Sequence, residues 1–146
     1  MPAEGGAAVQ VTRQGGGVEA FESRDGKYVY YDKSGTHTLW RAPVNGGLEE
    51  LVVPAPVRHG HWALLEDGVL ILNPEAKPAP ALELFRFAAG RRETLAPVEL
   101  GQVATTGFTT PALAISPDQR WILYVRMERN TSDLMLVENL EGAPGI

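Results

Sequence analysis

Short apolar runs, each broken by Gly, Pro, Asp or Asn, set the rhythm of this chain. Tyr28-Val29-Tyr30-Tyr31, Val69-Leu70-Ile71-Leu72 and Trp121-Ile122-Leu123-Tyr124-Val125 are rich in β-branched and aromatic residues and too short for buried helices. Each predicts a β-strand. No segment of about ten residues holds a helical period without Gly or Pro, so no long helix is expected.

The surroundings of these runs repeat. A short strand precedes each one: Val18 to Phe21, Trp62 to Leu65 and Ala112 to Ile115. Asp25-Gly26, Asp67-Gly68 and Asp118-Gln119 lie between the two strands as hairpin signals. A third strand follows, at Leu39-Trp40-Arg41, Leu84-Phe85-Arg86 and Leu134-Met135-Leu136, and then an outer strand, Glu49 to Val53 or Glu93 to Leu95. The segment from Gly5 to Thr12 resembles the one from Gly46 to Val53. A period of roughly 40–50 residues built from short strands marks a β-propeller blade.

The expected fold is therefore all-β: a β-propeller of four-stranded antiparallel blades, about three of them. The blades are expected at 13–53, 57–96 and 108–140, with 8–12 an outer strand of a neighbouring or closing blade. Closed propellers have typically 4–8 blades, and their two ends often share one blade. Three blades predict a partial propeller belonging to a longer chain, or half of a six-bladed homodimer. In the dimer, Ala8 to Thr12 of one copy would complete the last blade of the other.

Composition narrows the function. The 146 residues carry a net charge of −5, which lacks the basic footprint of a nucleic-acid binder. There is no cysteine, hence no disulfide, thiolate metal site or thiol nucleophile. No run approaches the ~20 apolar residues of a membrane span. Met1 to Gly6 lacks the charged and apolar regions of a signal peptide, so none is expected in this chain.

Several residues invite a chemical reading. His59 and His61, two apart, would share one face of a strand and offer two imidazoles to Zn²⁺ or Cu²⁺, but no third ligand is evident and His37 is distant in sequence. The simpler reading is a solvated pair. Asp25, Asp67 and Asp118 could gather around a cation, but each is better read as accepting N–H bonds within its own turn. Trp40, Phe85 and Met135 are read as equivalent packing residues of three blades. Asn130-Thr131-Ser132 fits a glycosylation sequon and is taken as chance. Ser34-Gly35 lacks the Gly of a nucleophile elbow, and no His follows His61. Gly15-Gly16-Gly17 lacks the Lys-Ser/Thr of a phosphate loop. Glu19, Glu22 and Glu66 do not form a glycosidase pair by sequence. No catalytic, cofactor-binding or metal-binding residue is assigned, and no cofactor is expected.

Ser23-Arg24-Asp25-Gly26-Lys27-Tyr28-Val29-Tyr30-Tyr31 with Leu39-Trp40-Arg41-Ala42-Pro43 and Gly46-Gly47 resembles the TolB-like β-propeller repeat. Ser116-Pro117-Asp118-Gln119-Arg120-Trp121-Ile122-Leu123-Tyr124 with Ser132-Asp133-Leu134-Met135 resembles it again. Arg24 stands where Pro is usual and Gln119 where Gly is usual. The second repeat lacks the Ser-Pro and carries an inserted turn at Pro74 to Pro80. Trp121 through Asn139 also resembles the C-terminal end of propellers in large bacterial signalling proteins, where a winged helix or kinase domain precedes the propeller.

The resemblance implies a non-catalytic module that binds a protein or peptide, within a larger bacterial signalling or periplasmic protein. It favours a periplasmic or other extracytoplasmic location. Loops at one end of the ring, such as Lys33 to Thr36 and Arg126 to Asn130, are the expected place for a ligand. The alternatives are a regulatory propeller fragment of a prolyl-oligopeptidase-like hydrolase and a self-assembling half-propeller.

Overall fold

A computed structural model of the chain describes residues 5, 7–33, 35–100, 111–128 and 131–137. Among them are eleven strands and no helix. β1 (Ala20–Glu22), β2 (Tyr28–Lys33), β3 (Thr38–Pro43) and β4 (Glu50–Val53) form the first sheet, antiparallel and in chain order. β5 (Trp62–Leu64), β6 (Gly68–Asn73), β7 (Ala81–Arg86) and β8 (Arg91–Pro97) form the second in the same way. β9 (Leu113–Ile115), β10 (Ile122–Glu128) and β11 (Thr131–Val137) form the third. Residues 8–12 take part in no sheet. The chain divides into two compact units, Met1–Val57 with the first sheet and Arg58–Ile146 with the other two.

The ladders fix which residues correspond. Tyr31 pairs with Ala20 and Trp40, Ile71 with Trp62 and Glu83, and Tyr124 with Leu113 and Met135. The first and third sheets turn from inner to second strand over a four-residue loop, closed by Ser23 N–H to Tyr28 O (2.8 Å) and Ser116 N–H to Trp121 O (2.9 Å). The second sheet turns over only Glu66 and Asp67, closed by Leu65 N–H to Gly68 O at 3.0 Å. So tight a turn brings Gly68 against β7: a Cβ there would stand 2.4 Å from the Phe85 carbonyl oxygen. The following turn, residues 74–80, is longer than residues 34–37 in the first sheet.

The two length changes shift the correspondence of the third strands. Trp40 and Met135 are equivalent, as expected, but their counterpart in the second sheet is Glu83 and not Phe85, which lies opposite Val69. The bulges in the outer ladders, at Leu39/Trp40 and Leu82/Glu83, fall at matching places and confirm this register.

Alternation along each strand gives every sheet two faces. Ala63, Leu70, Leu72, Leu82 and Leu84 share one face of the second sheet, here its trailing face. Leu113, Ile122, Tyr124 and Met135 share the opposite kind of face of the third sheet, its leading face. The two faces meet in one core with Leu65, Val98 and Leu100. Each fully buried Leu or Ile contributes about 1.5–3 kcal/mol, so this contact is a large stabilising term for its unit. Ala112 N–H donates across it to Gly60 O at 2.6 Å. In the first unit Tyr30, Tyr31, Leu39, Ala42, Val53 and Val57 are buried.

Candidate functional site

Two of the three Asp turns are built alike. Ser23 Oγ donates to Asp25 Oδ1 at 2.7 Å, Lys27 N–H donates to the same oxygen, and Tyr28 N–H donates to Ser23 Oγ. Ser116, Asp118, Arg120 and Trp121 repeat this pattern, with Ser116 Oγ to Asp118 Oδ1 at 2.6 Å. Gly26 and Gln119 take the left-handed position, φ 69° and 58°. The Ser23 hydroxyl and then the Lys27 amide hold the Asp25 carboxyl down at about 2, and Ser116 lowers Asp118 in the same way. These carboxylates serve their own turns. Asp67 does not: in its shorter turn it lies 2.9 Å from Arg86 Nη1, while its carbonyl accepts Phe87 N–H.

Sequence reasoning missed a buried charge network in the first sheet. Glu49, with a side chain only 3% exposed, accepts four hydrogen bonds. Arg13 and Gln14 N–H donate to Oε1 at 2.7 and 2.9 Å, and Tyr31 OH and Lys33 Nζ donate to Oε2 at 2.6 and 2.9 Å. The Tyr31 hydroxyl, the Arg13 amide and Lys33 together hold the Glu49 carboxyl at about 2. Burial, and then the Glu49 carboxylate, push the Tyr31 phenol upward. Lys33 Nζ also sits 3.9 Å from the Trp40 ring centroid, a cation–π contact.

The second sheet places a charge cluster at matching positions with the signs exchanged. Glu83, the counterpart of Trp40, is buried and accepts from Asn73 Nδ2 at 2.9 Å and Arg92 Nη1 at 3.2 Å. Asn73 corresponds to Lys33 and Arg92 to Glu49. The outer strand thus supplies the anion in one sheet and the cation in the other. A scan of directly opposed residues would find neither cluster, because Trp40 pairs with Leu51 and Glu83 with Thr94, and Glu49 and Arg92 lie two residues along the outer strand from those partners.

The expected ligand loops are partly occupied. Lys33 is committed to Glu49, and Thr36 Oγ1 lies 2.5 Å from Thr38 Oγ1. Arg126 pairs with Glu99 at 3.3 Å. Ser34, Arg129 and Asn130, with the sequon, lie outside the described residues, as do residues 101–110 and 138–146. His59 and His61 do not stand on a strand. They flank Gly60, φ 73°, in a turn closed by His61 N–H to Arg58 O, so the expected shared strand face does not form. His61 Nδ1 contacts His59 O at 2.9 Å, and burial lowers its pKa. His37, φ 51°, sits in the β2–β3 turn, where its carbonyl accepts Val57 N–H at 2.7 Å.

The outward-facing apolar surface is unevenly distributed. In the first unit, an arm of residues 10–17 crosses the leading face of the sheet, the face that carries Val29 and Tyr31. Glu49 holds the arm at Arg13 and Gln14. Gly17 lies so close that a Cβ would stand 2.9 Å from Tyr31 Cβ and 2.5 Å from Asp32 O. On the third sheet the trailing face is open: Leu134 is 71% exposed, Ala114 is exposed, and Leu123 and Val125 are half-buried. Leu48, just before β4, and Leu51, on it, are 86% and 51% exposed.

No family model matches the chain, and no curated protein matches it in sequence. Among solved structures, TolB from Acinetobacter baumannii is similar, with a TM-score of 0.56 at 16% identity. The likeness covers 82% of this chain and 29% of the TolB chain, so this chain spans less than a third of that protein's length. Three antiparallel sheets repeating in chain order, two of them with the same Ser-Asp turn, agree with that neighbour: these are three blades of a TolB-like β-propeller fold.

Proposed function

We propose that this chain is a non-catalytic β-propeller module that binds a protein or peptide, serving within a larger bacterial signalling or periplasmic protein. The observation that carries the reading is where polar and apolar groups lie. The buried carboxylate Glu49 accepts four hydrogen bonds and Glu83 two, all from partners inside their own blades. A carboxylate held near 2, as Glu49 is, is a poor proton donor or acceptor near neutral pH. Leu48 and Leu51, in contrast, are exposed just before the outer strand and on it, the kind of apolar surface that recognises other chains. The resemblance to bacterial signalling propellers, and the small share of TolB that the chain spans, support a place in a larger protein.

The test is selection of a displayed random-peptide library on the immobilised chain. Enriched peptides are expected to bind the wild type and to lose at least ~10-fold affinity for a Leu48→Asp, Leu51→Asp variant, since two apolar anchors are worth more than 1.4 kcal/mol together. Failure to enrich any peptide, or equal binding to both proteins, would sink the reading.

A further inference from the structure

The trailing face of the third blade is a second copy of a surface whose complement is known. In the second blade, Ala63, Leu70, Leu72 and Leu82 receive Ile122 and Tyr124 of the third. The ladders put Ala114, Leu123, Val125 and Leu134 at those same four positions of the third blade, with Leu136 in the register of Leu84. The first set is buried; in the second, Ala114 and Leu134 are exposed and Leu123 and Val125 are half-buried. Its complement is a leading face with a β-branched residue and a tyrosine two apart on the second strand. The first blade has that pair, Val29 and Tyr31, at the positions of Ile122 and Tyr124. That is the face over which the arm 10–17 is fastened.

We infer that the open trailing face of the third blade is a docking surface for the leading face of the first blade of a second copy of this chain, and that the arm 10–17 competes for that leading face. The contact continues the one between the second and third blades: sheet faces pack about 10 Å apart, large side chains of one entering between the aliphatics of the other. It is heterologous, since each copy contributes a different face. While the arm is seated, only the small fraction of molecules with the arm lifted can dock, so the apparent affinity falls by that fraction. The inference does not depend on the peptide-binding role proposed above.

Two chains test it, measured by light scattering on a size-exclusion column. In the first, Gly17→Ala lifts the arm sterically and Leu134→Asp closes the docking surface. The second is the wild type, with its arm seated and its docking surface open. Hydrogen exchange checks that residues 10–17 are released in the first while its strands stay protected; Glu49→Ala replaces Gly17→Ala if they are not. Each protein alone should have the mass of one chain, and the mixture should contain a complex of two. Gly17→Ala with Leu134 intact should self-associate at least ~10-fold more tightly than the wild type. A mixture that stays at one-chain mass, with the arm shown to be released, overturns the inference. So does a wild type that dimerises alone and is dispersed by Leu134→Asp without help from the arm variants, which would mean that two third-blade faces meet each other.

Discussion

The leading face of the first blade and the trailing face of the third are finished in opposite ways. The first carries Tyr31 and a lysine and lies under the arm 10–17, which two amide hydrogen bonds tie to the same Glu49 carboxylate that accepts from Tyr31 and Lys33. The third carries aliphatic side chains and is left open, with Leu134 mostly in solvent. Repeat arrays bury apolar surface between neighbouring repeats, so an apolar blade face calls for a neighbour or a cover. The first face has a cover in residues 10–17. The third has kept the pattern of an internal blade.

The comparison can be broken most severely at Glu49. Glu49→Ala removes the acceptor of both arm amides and leaves Lys33, whose side chain is 14% exposed, without its counter-charge. Breaking a buried pair in this way should cost about 3 kcal/mol, read as a lower urea midpoint. Acid should do part of the same. Glu49 has a folded pKa near 2 against an ordinary 4.5, so its contribution is complete above 4.5 and is lost as pH falls from there toward 2. The wild-type midpoint should drop over that window, and a Glu49→Gln variant should drop less.

A smaller effect is expected at Gly17. A methyl group there would overlap Tyr31 Cβ and Asp32 O, costing about 1–3 kcal/mol, with faster amide exchange confined to the arm and β1. If the whole first blade exchanges faster, the arm is not a separable cap. The smallest effect belongs to Leu134→Asp. Stability should change by no more than about 0.5 kcal/mol, because the side chain is mostly exposed, while binding of a hydrophobic dye should fall. A large loss of stability would show that this face is already covered.

The second strands and their hairpin turns were legible in the sequence because β-branched and aromatic runs beside Asp-Gly-type turns specify them locally. Ser23-Arg24-Asp25-Gly26 and Ser116-Pro117-Asp118-Gln119 are closed by their own side chains, so their geometry travels with the motif. The second blade was less legible. Its hairpin lacks the serine and is shorter, its next turn is longer, and the two changes nearly cancel in the overall period. What made Phe85 look like the partner of Trp40 was the match of Leu84-Phe85-Arg86 to Leu39-Trp40-Arg41; the ladder places Glu83 there instead. The Glu49 network could not be read at all. It joins Arg13, Gln14, Tyr31, Lys33 and Glu49, and only a folded sheet brings those residues together. His59 and His61 misled for a local reason: Gly60 turns the chain between them.

The exchanged signs of the two buried charge clusters bear on how the chain finds its pairing. Tandem blades are alike enough for an outer strand to join the wrong partner while the protein folds, a common failure of repeat proteins. Here each such error carries its own penalty. β4 laid against β7 would bring Glu49 to Glu83, and β8 laid against β3 would bring Arg92 to Lys33. Either places like charges side by side where water is scarce, whereas correct pairing joins opposites. Such a penalty would favour the return of each outer strand to its own blade.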